Sequence, residues 1–189
     1  MVAAREGWRR WQPGLDPAKL VFIDESGAKT NMTRLRGRAP RGERLHACAP
    51  CGRWESTTMI SSVRLDGSTA CMTVGGATNT EVFHAYVGEV LLPTLGEGDI
   101  VVMDNLSAHK NARTIALVES AGARVAFLPP YSPDLNPIER IWLVMKARWF
   151  NNHVCRDRQA LIERLDKAIL DVIADPKSAQ HTASMRTLF

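Results

Sequence analysis

The chain has 189 residues, 45% hydrophobic and 23% charged, which suits one sizeable domain of ordinary globular composition. Its apolar runs are too short to cross a bilayer, and Met1 to Gln12 carries Arg5, Arg9 and Arg10 without the apolar stretch of a secretory signal, so no membrane role is expected. Four irregularly spaced cysteines exclude a disulfide scaffold and fit a reduced, cytoplasmic compartment.

The net charge of +4 is unevenly spread: +6 over residues 1–53, −6 over 54–139 and +4 over 140–189. Basic flanks around an acidic middle suit a protein that grips a polyanion at its edges and binds cations at its centre, although a solvated surface of uneven charge gives the same count.

In chain order, residues 20–24 (Leu-Val-Phe-Ile-Asp) read as a short buried strand that ends in an acid. Residues 29–53 follow with Lys29, Arg34, Arg36, Arg38, Arg41, Arg44 and Arg53 against Glu43 alone, broken into turns by prolines and glycines. Two strands, 57–64 and 69–74, flank the tight-turn pair Asp66-Gly67. Helical spacing marks 80–95, and a second buried strand at 99–104 again ends in an acid. A helix over 111–121 stops at Gly122, and 124–128 is another strand. Residues 129–137 hold four prolines in nine, which predicts a stiff, extended loop. Helices over 138–150 and 157–173 complete a mixed α/β sheet flanked by helices.

Three acids stand out. Asp24 and Asp104 each follow a buried apolar run, which places them at the carboxyl edge of a sheet, where open α/β sheets bind ligands. Two carboxylates side by side repel unless a cation lies between them, and oxygen-only ligands favour Mg²⁺ or Mn²⁺ over zinc. The competing role for a single such Asp is to cap a turn. Glu139 is the third acid: with Asn136 as cap and Pro137 opening the helix, it stands where a glutamate either closes a capping box or reaches a metal.

Ile23-Asp-Glu-Ser-Gly27, Val102-Met-Asp-Asn105 with His109, and Leu128-Pro-Pro-Tyr-Ser-Pro-Asp-Leu-Asn-Pro-Ile-Glu139 resemble the three motifs of DDE transposases. The similarity is greatest to the bacterial insertion-sequence branch of the mariner superfamily, whose characteristic spacing matches the 34 residues between Asp104 and Glu139. The resemblance implies a ribonuclease H-like fold in which Asp24, Asp104 and Glu139 hold two Mg²⁺ or Mn²⁺ ions roughly 4 Å apart. It implies DNA strand cleavage and strand transfer on double-stranded DNA, with a homodimer as the working form. Glu25 and Asp134 fall at non-ligand positions of the motifs. Family members carry helix-turn-helix domains ahead of the catalytic domain; with about twenty residues before Asp24, this chain is expected to be a fragment, part of a split gene or a decayed copy.

The expected organisation is a basic N-terminal arm over 1–19, the catalytic domain over 20–155 and a C-terminal helix and tail over 156–189. Arg34, Arg36, Arg38, Arg41, Arg44, His109 and Lys146 are the candidate DNA contacts, His109 and Lys146 because they lie near the acids. Trp142 and Trp149, with Ile138 and Met145, form a helical apolar stripe that reads as core rather than as a stacking platform. Cys48-Ala-Pro-Cys51 beside His46 lacks a second cysteine pair and makes a poor zinc seed. The alternatives are a non-catalytic DNA-binding or assembly remnant, and a nuclease for RNA–DNA hybrids, which the proline motif disfavours.

Overall fold

Leu20–Lys29 forms β1, Ser56–Arg64 β2 and Thr69–Gly75 β3, an antiparallel meander. In this computed structural model, residues 2–32, 37–46, 54–150 and 155–174 are described. Gly67 turns the chain between β2 and β3 at φ 85°, a left-handed conformation that glycine adopts without a Cβ penalty. Thr80–Tyr86 is α2, started by Asn79, whose side-chain oxygen accepts from the Val82 N–H at 2.9 Å. The helix expected to continue to residue 95 instead loosens into a π turn over Val87–Leu91 and a 3-10 turn over Leu92–Thr94. Pro93 explains the change: it has no N–H to extend the ladder, and its ring crowds the carbonyl four residues back.

Ile100–Met103 is β4, Ala112–Ser120 is α3 and Arg124–Phe127 is β5. Both β1–β4 and β4–β5 pair in parallel, so the five-stranded sheet runs β3-β2-β1-β4-β5. Ile138–Met145 is α4, which continues as a π turn over Lys146–Phe150, and Arg158–Ala174 is α5.

Side-chain alternation along the strands divides the core in two. Leu20 and Phe22 of β1, with Ile100 and Val102 of β4, face Ile138, Trp142 and Met145 of α4 and Leu161 and Leu165 of α5. Val21 and Ile23, with Val101 and Met103, face Phe83 and Tyr86 of α2 and Val118 of α3. Helices therefore cover both faces, as parallel strands demand.

Both ends of the described chain pack onto this core. Val2–Trp11 is a helix, α1, whose Trp8 is buried in the same cluster as Phe22 and Trp142, and α5 buries its apolar stripe there too. The basic arm is thus a packed helix, and the C-terminal helix is part of the core. Among the described residues no helix is long and apolar enough to cross a membrane.

Candidate active site

Asp24 is not the last residue of its strand. β1 continues to Lys29, held by β2 through pairs that run from Val21↔Arg64 to Lys29↔Ser56. On its other side, parallel pairing to β4 runs only from Leu20↔Ile100 to Phe22↔Val102. Carrying that register two residues onward aligns Asp24 with Asp104, the residue directly after β4. Asp24 therefore stands at the sheet's carboxyl edge as seen from β4, although its own strand runs past it.

Glu139 arrives from the proline loop. That loop is not extended throughout: Pro133–Leu135 makes a 3-10 turn, and Tyr131 sits at φ 55°, a backbone conformation that bulky residues rarely take. Asn136 ties the loop to the sheet, its side-chain N–H₂ donating to the Ile23 carbonyl at 3.0 Å. The Asn136 backbone N–H is already donated to Pro133 O at 2.9 Å, so it is not available to Glu139 for a capping box. Asp24, Asp104 and Glu139 line one cavity of about 400 Å³ with Asn105, Tyr131 and Asn136.

Burial pushes the Asp24 carboxyl up to about 7, and the nearby charge of Glu139 adds to the rise. Trp142 Nε1 donates to Asp24 Oδ2 at 3.0 Å, so the buried stripe of α4 also orients the first acid. Asp104 is held below the ordinary carboxylate range: burial acts upward, but His109 and the Leu106 N–H, which donates to Oδ1 at 2.9 Å, outweigh it.

His109, expected as a DNA contact, is completely buried behind Asp104. Its Nε2 lies 2.8 Å from Glu25 Oε1; its Nδ1 lies 2.7 Å from Asp104 Oδ1, a close charge pair without hydrogen-bond alignment. The ring packs 4.2 Å from that of Phe83. Burial alone would lower the imidazole pKa, but Asp104 and Glu25 raise it to about 9, so the ring is an imidazolium at neutral pH. Alternation explains the arrangement: Asp24 points to the α4 side, while the next residue, Glu25, points to the α2 side and meets His109 there.

All three cavity acids offer oxygen alone, and neither Cys nor His lines the wall, a donor set for a hard divalent cation. Burial first, and then the charge of Glu139, disfavour the ionised form of Asp24, which a bound cation would favour. Among the described residues, no three His, Cys, Asp or Glu side chains are grouped closely enough to hold a metal ion.

Arg38, Arg41 and Arg44 are exposed, while Arg34 and Arg36 lie outside the described residues, as do Cys48 and Cys51. Lys146 opens the π turn after α4 and does not line the cavity. Asp134, outside the acid set, accepts two hydrogen bonds from Arg5 of α1 at 2.6 and 2.9 Å, and Arg5 also donates to Ser132 Oγ at 2.9 Å. Trp142 and Arg5 build the site in ways that sequence spacing did not mark, and Asn136, marked as a cap, also anchors the loop to β1.

The mixed sheet and its helices are shared with solved structures. The mariner Mos1 paired end complex with Mg aligns at TM-score 0.70 and 15% identity, over 96% of this chain and 58% of that one. The catalytic domain of Mos1 mariner transposase aligns at TM-score 0.53 and 15% identity, over 97% and 90%. These establish the ribonuclease H-like fold. An uncharacterized Sinorhizobium fredii protein, y4pE/y4sA, is 29% identical over 68 residues, 30% of this chain and 50% of that protein. The insertion element IS630 uncharacterized 39 kDa protein of Shigella sonnei is 28% identical over 102 residues, 52% of this chain and 29% of that protein. The chain thus spans half or less of the length of these curated relatives. The family model for the DDE superfamily endonucleases matches residues 19–162, most of the chain. With that match, and with both motif aspartates aligned at one sheet edge, the chain belongs to the DDE superfamily endonucleases.

Proposed function

We propose that the chain is the catalytic unit of a DNA transposase, in which Asp24, Asp104 and Glu139 hold two Mg²⁺ or Mn²⁺ ions for strand cleavage and strand transfer. The observation that carries this reading is the one cavity lined by Asp24, Asp104 and Glu139, with the β1–β4 register, carried two residues onward, bringing the two aspartates level. Bound divalent cations supply charge neutralisation for an in-line phosphoryl transfer and an activated water or 3′-hydroxyl. The protein's own part is to fix the acids. Trp142 and the Leu106 N–H hold one oxygen each of Asp24 and Asp104, and the Asn136 anchor sets where α4 begins. His109 balances part of the negative charge from behind Asp104. The substrate is double-stranded DNA, with two copies of the chain per DNA complex; a similar structure, the Mos1 transposase paired-end complex with left transposon end, supports DNA as the partner.

Incubation of the purified protein with supercoiled plasmid and Mn²⁺ tests the reading. Nicking is expected, and it should disappear in Asp24→Asn, Asp104→Asn and Glu139→Gln while each variant melts normally. A folded triad variant that nicks as well as the parent protein would overturn the assignment.

A further inference from the structure

A second cavity, of about 560 Å³, adjoins the first and shares Asn105, Leu128, Pro129 and Pro130 with it. Its outer wall is α1, with Gly7, Trp8 and Trp11, and its inner wall is β5, the edge strand of the sheet. A Cβ at Gly7 would meet nothing within 4 Å, so the wall stands open at that point. Trp8 and Trp11 meet edge to face at 5.2 Å; Trp8 is buried, but Trp11 is 42% exposed. The anchored indole thus braces an exposed one. Arg9 and Arg10 on the same helix are exposed, and Glu6 is its only acid. Arg5 is committed to Asp134 and Ser132, which fixes α1 to the loop that leads to Glu139. Groove and acids are therefore held in one frame.

An exposed aromatic on a rigid wall, on a helix that also carries two exposed arginines, and open to a phosphoryl-transfer site, has the physical make-up of a single-strand track. Its volume is that of a small-ligand pocket. An intact duplex keeps its bases stacked on one another and offers no free base face to Trp11, whereas an unpaired base does.

We propose that the groove between α1 and β5 receives an unpaired stretch of DNA next to the reacting phosphate, with one base stacked on Trp11 and backbone phosphates near Arg9 and Arg10. This rests on the reading that the adjoining cavity acts on DNA.

The test compares two labelled duplexes by fluorescence anisotropy, one blunt and one with a short single-stranded extension. The extension should tighten binding by about tenfold, the scale of one stacked base. That ratio should fall to near one in Trp11→Ala and persist in Trp11→Phe, which keeps an aromatic ring; it should shrink in the Arg9→Gln, Arg10→Gln double variant. Because the ratio is taken within each protein, partial misfolding lowers both affinities and leaves it unchanged. No gain from the extension, or a gain that survives Trp11→Ala, overturns the proposal. Plasmid nicking by the same wild-type preparation separates the two readings. Nicking without an extension effect removes the groove and leaves the catalytic reading standing. An extension effect lost in Trp11→Ala, without nicking, removes the catalytic reading alone.

Discussion

Trp142 reaches from α4 to donate its indole N–H to Asp24 Oδ2 at 3.0 Å, although the two are 118 positions apart in sequence. Replacing the indole by a phenyl ring removes the donor while keeping most of the packing. Outer partners of metal-ligating carboxylates typically contribute 10–100-fold to metal affinity or activity. Trp142→Phe is therefore expected to raise the Mn²⁺ concentration for half-maximal nicking roughly tenfold. A Mn²⁺ titration of nicking checks this; an unchanged midpoint would reduce Trp142 to packing alone.

Glu25 and His109 form the corresponding support behind Asp104. Glu25→Gln keeps the size of the side chain but removes one of the two charges that hold the imidazolium. Nicking should fall by about 10-fold or more. His109→Ala should cost more, because it leaves both acids without their buried counter-charge. Calorimetric Mn²⁺ binding should weaken in parallel; loss of nicking with normal Mn²⁺ affinity would place the effect elsewhere.

Asp99 supports the fold away from the site. It is buried, accepts from Arg64 at 2.7 Å and from the Gly96 N–H at 2.8 Å, and lies 3.9 Å from Lys19. Burial acts to raise its pKa, but these partners outweigh it and hold the carboxyl below its usual value. A depressed folded pKa contributes stability that is present above the unfolded value, near 4, and is lost as pH falls through the folded one. Asp99→Asn should therefore lower stability at pH 7 by about 1.5–3 kcal/mol, the range for a hydrogen bond to a charged group. In thermal melts, the gap from the parent protein should close as the pH drops below about 4. A gap that stays constant with pH would show that charge is not the cause.

Arg38, Arg41 and Arg44 lie exposed on a turn-rich stretch with Glu43 as their acidic neighbour. If they meet phosphates, changing all three to Gln should weaken binding to every duplex alike. The salt dependence should flatten by about one unit of slope per lost contact. A slope equal to the parent's would assign these side chains to solvent.

Local patterns foretold the elements well, and long-range pairing much less. Ile100 to Met103 is uniformly apolar because both of its faces are covered, so the strand is legible without its neighbours. The continuation of β1 through Glu25, Ser26 and Gly27 is hidden by its polarity. Glu25 is spent on His109, a partner 84 positions away that no spacing rule reveals. The α1 helix did leave a trace: Ala4, Trp8 and Trp11 recur at helical intervals, beneath the arginines that drew attention to charge. The three acids were readable from their flanking runs and the proline motif. Their meeting in one place was implied by the family resemblance and not by the flanking runs, because it depends on β1 lying beside β4.

The β1–β4 register has a consequence for protein engineering. Asp24 and Asp104 are aligned by hydrogen bonding between Leu20–Phe22 and Ile100–Val102, not by the length of the 79 residues between them. That excursion builds the β2–β3 hairpin of the same sheet and then α2 before it returns to β4. A reporter domain or recognition tag spliced into the Asp66-Gly67 turn would lengthen the excursion without shifting either acid. A single residue inserted within Ile100–Met103 would do the reverse, because strand side chains alternate faces and a one-residue slip would turn Asp104 away from the cavity. The same sheet would thus accept a large cargo at one turn and reject the smallest possible insertion a few ångströms from its acids.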